Sequence, residues 1–127
     1  MINYGKVWIF EYQSTLNKRE QDCVCRAISL ALNEDYYVIQ EKLELVGRLF
    51  ECPTICVCCY KFLLDNVYGI NRIEEYNGTS IREFIEQNPL GTYIIRIEGH
   101  CTCVIDSICY DLWDCLDETI SLIWKVE

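Results

Sequence analysis

The hydrophobic pattern in the first two thirds of the chain is typical of helices. In residues 23–32 apolar side chains occupy most sides of a helix, and Asn33 is a common helix end. Residues 34–50 carry a second apolar stripe, which comprises Tyr37, Val38, Ile39, Leu43 and Leu45. The pattern therefore predicts two consecutive helices, of which the first is largely buried.

Two further helices are predicted from their start signals. A proline and a threonine open a third helix over residues 53–66. Residues 80–83 (SIRE) match a capping box, in which the serine hydroxyl and the glutamate carboxylate satisfy backbone donors at a helix start. This short fourth helix is expected to end near residues 88–89.

Strand patterns dominate the last third of the chain. Four segments alternate or run apolar over strand lengths, namely residues 92–98, 101–105, 108–111 and 121–126. Residues 7–10, together with Tyr12, are β-branched and aromatic and predict one early strand, followed by a polar loop over 13–21. The chain thus has helices first and most of its strands last.

This order predicts an α+β fold in which N-terminal helices pack on a C-terminal antiparallel sheet. Asp106 and Ser107 separate two predicted strands and suit the two-residue turn of an antiparallel hairpin. The length of 127 residues is typical of one domain, and no repeat, low-complexity tract or long linker divides it. We expect a single domain over residues 1–127.

The charge of the chain limits its partners. Asp and Glu number 20 against 11 Lys and Arg, which gives a formal net charge of −9. Nucleic-acid affinity comes largely from clustered basic residues, so no nucleic-acid partner is expected, whereas a basic host protein suits a negative surface. Apolar runs such as residues 55–64 are too short to cross a bilayer, so no membrane association is expected.

The ten cysteines are expected to be reduced. Residues 1–12 lack the charged and apolar regions of a signal peptide, which predicts a cytoplasmic protein without disulfides. Structural zinc sites use paired Cys-x-x-Cys knuckles, whereas residues 56–59 are predicted on a helix that spreads their thiols around its axis. We therefore expect no metal and no cofactor, and we predict packing roles for nine of the cysteines.

Cys23 is the exception, because it begins the first predicted helix. A helix N-terminus favours a thiolate, which is the nucleophilic form of cysteine. His100 is the single histidine, and it is the side chain best suited to proton transfer near neutral pH. The two residues predict a nucleophile and a base if the fold brings them together, whereas Cys25 and the alternating Cys101 and Cys103 are predicted to pack.

An acid is placed near His100 by the predicted hairpin. If residues 106–107 form the turn, Asp111 lies roughly opposite Thr102, which is two residues from His100. Asp111 would then share a face with His100 and could orient its ring. Asp114 is the alternative orienting acid, and it reaches the ring only if the chain turns back. Trp113 and Trp124 are predicted core or rim aromatics.

Several motifs resemble those of the small papain-like cysteine peptidase-like proteins of phages and mobile elements, which are related to the double-glycine leader peptidases. The matching segments are DCVCRAI over 22–28, AL over 31–32, GTYII over 91–95, GH over 99–100, VID over 104–106 and YDLWD over 110–114. The resemblance covers the first helix and the last third, while residues 34–77 match only as helices. It implies a papain-like fold.

The resemblance also implies a role for each residue of the site. By motif position, Cys23 is the nucleophile, His100 the base and Asp111 the orienting group. Papain-like enzymes use a carboxamide ahead of the nucleophile to donate to the oxyanion, and this sequence offers Asn17, six residues before Cys23, and Gln21, two residues before it.

Two functions are compatible with these residues. The first is a cysteine-dependent hydrolase or acyl-transfer enzyme, acting as a peptidase, deamidase or transglutaminase-like enzyme on an amide of a protein or peptide. The second is a catalytically inactive papain-like binding protein, such as a phage factor that inhibits a host or defence protein. The intact set of Cys, His and Asp favours the first hypothesis, and the acidic, short chain favours the second.

Overall fold

The structure, a computed structural model, describes residues 6–8, 22–111 and 113–127. The helices are α1 (Cys23–Leu32), α2 (Tyr36–Phe50), α3 (Val57–Phe62), which continues into a π-helical turn at Leu63–Val67, and α4 (Ile81–Gln87). The strands are β1 (Lys6–Trp8), β2 (Asn71–Ile73), β3 (Thr92–Ile97), β4 (His100–Ile105), β5 (Ile108–Tyr110) and β6 (Ile120–Lys125).

The strands form one sheet of six in the order β1-β5-β4-β3-β6-β2. Neighbours from β5 to β2 are antiparallel, whereas β1 pairs parallel with β5 at the edge. The α+β class is therefore confirmed, with all the described helices before strands β3 to β6 of an essentially antiparallel sheet. Within the described ranges, no helix is long and apolar enough to span a membrane.

Local sequence signals predicted several helix ends correctly. The observed α1 has the predicted bounds and ends at Asn33, whose φ of 55° is left-handed. The observed α2 starts at Tyr36 rather than residue 34, because the carboxylate of Asp35 accepts from the first-turn amides. The capping box of α4 is present, with the Ser80 hydroxyl accepting from the amide of Glu83 at 3.1 Å.

Other features differ from the sequence expectations. The buried face of α2 follows the helical spacing of Tyr36, Ile39, Leu43 and Val46. The prediction was wrong for three members of the stripe, which are exposed, namely Tyr37, Val38 and Leu45. The third helix begins at Val57, not residue 53, and β2 had no counterpart in the predicted strands. Residues 9–21, which include most of the predicted early strand and the polar loop, lie outside the described residues.

Two hydrophobic cores lie on opposite faces of the sheet. The first packs α1, α2 and α3 against residues that include Cys101, Cys103 and Trp124. The second packs α4 against the other face, where Val104 and Cys109 are buried. Because α1 packs along β4 in the first core, the beginning of α1 is brought to the beginning of β4.

Candidate active site

Cys23 and His100 meet although they are far apart in the sequence. Cys23 is the first residue of α1 and remains partly exposed, while His100 is the first residue of β4. Cys23 is close enough to His100 to contribute to the raised pKa of its ring. The packing of α1 on the sheet therefore assembles the pair that the sequence predicted as nucleophile and base.

Asp111 is the acid that the hairpin brings to His100. Asp106 and Ser107 form the turn, with φ values of 47° and 75°, and the register pairs Ile105 with Ile108. This register carries Asp111 back to His100, where Oδ2 lies 2.6 Å from Nε2 of the ring. The carboxylate is 1% exposed, so water competes little for this hydrogen bond.

The environment of His100 favours its charged form. Burial lowers the pKa of the ring, but hydrogen bonds with Asp111 and Cys23 outweigh it and raise the pKa to about 9. Because Nε2 is bonded to Asp111, Nδ1 is the ring nitrogen that remains for Cys23. At neutral pH the ring of His100 is thus an imidazolium.

Arg26 links the site to the start of α1, a role that the sequence reasoning did not assign. Its buried guanidinium places Nη2 3.6 Å from Oδ1 of Asp111. Its Nη1 donates to Asp22, whose other carboxylate oxygen accepts from the hydroxyl of Tyr36 at 2.9 Å. An arginine in the apolar helix at residues 23–32, four residues after an aspartate, was the available signal for a buried ion pair.

Two buried thiols and a hydroxyl form a chain of contacts that ends at the Asp111 carboxylate. Cys115 donates to Oδ2 of Asp111 at 3.6 Å, and its sulfur lies 3.8 Å from that of Cys109. The Cys109 sulfur in turn lies 3.3 Å from Oγ1 of Thr102. His100, Asp111 and Cys115 are close enough to hold a metal ion, but the short hydrogen bond between His100 and Asp111 already occupies two of the ligand atoms.

The residues around this set have distinct positions. Asp114 is exposed and its Oδ1 accepts from the amide of Leu116 at 3.1 Å, so it caps a turn and does not contact His100. Trp113 lies over His100, with 5.0 Å between ring centroids, and is 43% exposed. Trp113 is therefore a rim aromatic of the site. Asn17 and Gln21, the predicted oxyanion donors, lie outside the described residues.

Most of the other cysteines have packing positions. Six of the ten are buried, namely Cys25, Cys59, Cys101, Cys103, Cys109 and Cys115. Burial raises the pKa of Cys25 to about 12, and its thiol donates to the carbonyl of Tyr36 at 3.2 Å. Burial also raises the pKa of Cys101 beside the site. Cys25 and Cys101 are therefore protonated at neutral pH and are unsuited to nucleophilic attack.

Three cysteines depart from the expectation that thiols near residues 56–59 spread around a helix. The sulfur of Cys58 lies 3.0 Å from that of Cys56 and 3.0 Å from that of Cys52. Cys56 precedes α3 with an extended backbone, so its side chain is not bound to the helical spacing. Only Cys59 turns inward, donating to the carbonyl of Leu43 at 3.2 Å.

No protein-family model, curated protein or solved structure matches this chain at a significant level.

Proposed function

We propose that the protein is a papain-like cysteine-dependent hydrolase or acyl-transfer enzyme that acts on an amide of a protein or peptide. One observation carries the proposal. Cys23, at the start of α1, lies beside His100 and contributes to its raised pKa, and His100 bonds a buried Asp111 at 2.6 Å. A nucleophile, a base and an orienting acid in contact are the recurring arrangement of enzymes that form acyl intermediates.

The chemistry follows from the protonation of the pair. The Cys23 sulfur, as thiolate, attacks the carbonyl carbon of the amide and forms a tetrahedral intermediate. The imidazolium of His100 then gives its proton to the departing nitrogen, which leaves a thioester on Cys23 and a neutral imidazole. Neutral His100 takes a proton from water, the resulting hydroxide adds to the thioester carbonyl, and the sulfur leaves, which releases a carboxylic acid and restores the thiolate of Cys23 and the imidazolium of His100. An amine in place of water gives transfer, and loss of ammonia from a side-chain amide gives deamidation.

The surrounding charges support this cycle. Asp111 accepts a hydrogen bond from Nε2–H of His100, which leaves Nδ1 as the ring nitrogen for Cys23. Arg26 lies within 3.6 Å of the Asp111 carboxylate and favours its charged form. The Asp22 carboxylate at the N-cap of α1 makes no capping hydrogen bond to the first turn and is paired with Arg26, whose positive charge offsets it.

A papain-like fold is part of the same proposal. The nucleophile helix precedes the sheet, the base begins a strand and the orienting acid follows the next strand, which is the order implied by the resemblance to small phage and mobile-element peptidases. The formal charge of −9 supports a basic protein or peptide as the substrate. The ten free cysteines support the reducing cytoplasm of a host as the site of action.

Thiol reactivity gives the first test. In a Cys52→Ser, Cys56→Ser, Cys58→Ser background, Cys23 is the only cysteine that is not buried. We expect iodoacetamide at neutral pH to alkylate Cys23 at least about tenfold faster than in the same background with His100→Ala, because the imidazolium no longer stabilises the thiolate. Equal rates measured by peptide mass mapping would contradict an activated thiol.

Catalysis is tested by trapping the acyl intermediate. The protein is incubated with host lysate and with basic peptides, quenched in acid and searched by mass spectrometry for adducts on Cys23. Turnover of any peptide so found is expected to fall by roughly 10³-fold or more in Cys23→Ala and in His100→Ala. The matched control is Asp114→Asn, which alters an acid near the site without touching His100 and should retain activity. Turnover that persists in Cys23→Ala would refute the proposal.

A further inference from the structure

Solvent access separates the cysteines into two classes. Six are buried, and the four that are not are Cys23 and the three residues Cys52, Cys56 and Cys58, which we call the thiol cluster. Cysteine is normally a buried residue, and an accessible thiol is a chemical liability. Cys23 is accounted for by the proposed catalysis, whereas the thiol cluster is not.

The thiol cluster is built on a short and well-connected segment between α2 and α3. The amide of Cys52 donates to the carbonyl of Gly47 at 3.0 Å, and the amide of Cys56 donates to that of Pro53 at 3.0 Å. The carbonyl of Cys56 then accepts from Cys59 at the start of α3. These hydrogen bonds fix the backbone from which all three thiols project, so the backbone itself holds the three side chains close together.

The sulfur positions suit a single soft ion. All three sulfurs lie within 4.8 Å of one another, and two of the separations are 3.0 Å. A tetrahedral zinc site with Zn–S bonds of about 2.3 Å has sulfurs about 3.8 Å apart, so small side-chain rotations would open the cluster to receive the ion. Three ionised thiols this close repel one another, and a bound cation removes that cost.

We infer that Cys52, Cys56 and Cys58 bind one thiophilic metal ion, with Zn²⁺ as the expected ion, and that the ion joins the end of α2 to the start of α3. The fourth position faces solvent, because Cys58 is exposed and the inward thiol of Cys59 is engaged with the carbonyl of Leu43. Thiolate ligands select Zn²⁺ over harder ions such as Mg²⁺. Binding releases protons from the thiols as sulfur–zinc bonds form.

The experiment uses Co²⁺ and Zn²⁺ with the full chain, kept reduced with a phosphine and free of oxygen. We expect one Co²⁺ per chain, with a sulfur-to-cobalt charge-transfer band in the near ultraviolet that Zn²⁺ abolishes by displacement. Cys58→Ser should weaken Zn²⁺ binding by more than the roughly 10–100-fold that loss of an outer-shell group costs. Cys52→Ser and Cys56→Ser should do the same.

Two controls locate the ion. Cys23→Ser removes another accessible thiol and should leave Zn²⁺ affinity unchanged, and so should His100→Ala, which disrupts the group of His100, Asp111 and Cys115. Loss of binding in either control would place the ion at the candidate active site and overturn the inference. Absence of the cobalt band in the parent protein, or a disulfide among the three thiols in protein taken directly from cells, would overturn it as well. None of these readouts depends on turnover.

Discussion

The carboxylate of Asp111 lies 2.6 Å from Nε2 of His100, just beyond the strand that pairs with β4. The other oxygen of the same carboxylate, Oδ1, lies 3.6 Å from Nη2 of Arg26. One buried acid therefore holds the imidazole on one side and is itself held by a guanidinium from α1. The orientation of His100 thus depends on the helix that carries Cys23.

The first prediction concerns the charge of His100. The chain has one histidine, so a single ring resonance reports it in untagged protein. We expect the NMR titration midpoint near the raised pKa of about 9. In Asp111→Asn the midpoint should fall, because the amide can still accept from Nε2 but supplies no charge. A parent midpoint at or below the ordinary value of about 6.5 would contradict a charged His100 at neutral pH.

The second prediction links this pKa to stability. The folded pKa lies above the unfolded value, so the contribution of His100 is fully present below about pH 6.5 and is lost as the pH rises through about 9. Over this interval the free energy of unfolding should fall with rising pH by at most about 1.4 kcal/mol per pH unit. Urea denaturation of the parent and of His100→Asn gives the measurement, and a difference between them that does not shrink with pH would contradict it.

The third prediction compares two arginines. Arg26 is buried between Asp22 and Asp111, so Arg26→Met should cost about 3–5 kcal/mol of unfolding free energy by leaving the buried Asp111 carboxylate and the partly buried Asp22 carboxylate uncompensated. Arg82 pairs with Asp117 at 2.9 Å on the surface, so Arg82→Met should cost only about 0–1 kcal/mol. Similar losses for the two variants in urea denaturation would show that Arg26 does not hold these carboxylates.

The fourth prediction concerns the backbone of the thiol cluster. A Cβ at Gly47 would lie 2.8 Å from the carbonyl oxygen of Cys52, so the chain must shift. Such overpacking costs about 1–3 kcal/mol and outweighs the gain of about 1 kcal/mol from alanine in a helix, so Gly47→Ala should be destabilising by about 1 kcal/mol in chelator. Leu49→Ala, at a position 69% exposed on the same helix, should be nearly neutral. A stabilised Gly47→Ala would contradict the close approach.

The fifth prediction tests the cap of α4. The Ser80 hydroxyl accepts from the amide of Glu83 at 3.1 Å, and Ser80→Ala removes this acceptor at a cost of about 1 kcal/mol. Ser80→Gly should cost only a few tenths of a kcal/mol, since glycine is itself tolerated at this position. Thermal denaturation distinguishes the two, and equal losses would show that the cap contributes little.

Much of the fold could be predicted where a local signal sets the structure. The bounds of α1, the capping box at Ser80 and the two-residue turn at residues 106–107 each depend on a few neighbouring residues. The strand β2 could not be predicted, because Asn71–Ile73 is three residues long and pairs only with β6. Its existence depends on a partner that comes much later in the chain.

The site was predictable to the extent that its geometry follows from register. The turn fixes which residue returns to His100, so Asp111 could be chosen over Asp114 from the sequence. Arg26 was not assigned because its contact with Asp111 depends on how α1 packs on the sheet. A metal site at these cysteines was rejected from the sequence because a helix was expected to begin before Cys56, whereas it begins at Val57.

The position of β6 has a consequence for protein synthesis. This strand follows β3 and β4 in the chain and is synthesised after them, yet it pairs between β3 and β2 rather than at an edge. A nascent chain that already displays Cys23 therefore lacks the sheet that fixes His100 beside it. On our proposal the nascent polypeptide is unreactive until β6 has been synthesised and has paired with β3, and its reactivity towards neighbouring proteins begins only then.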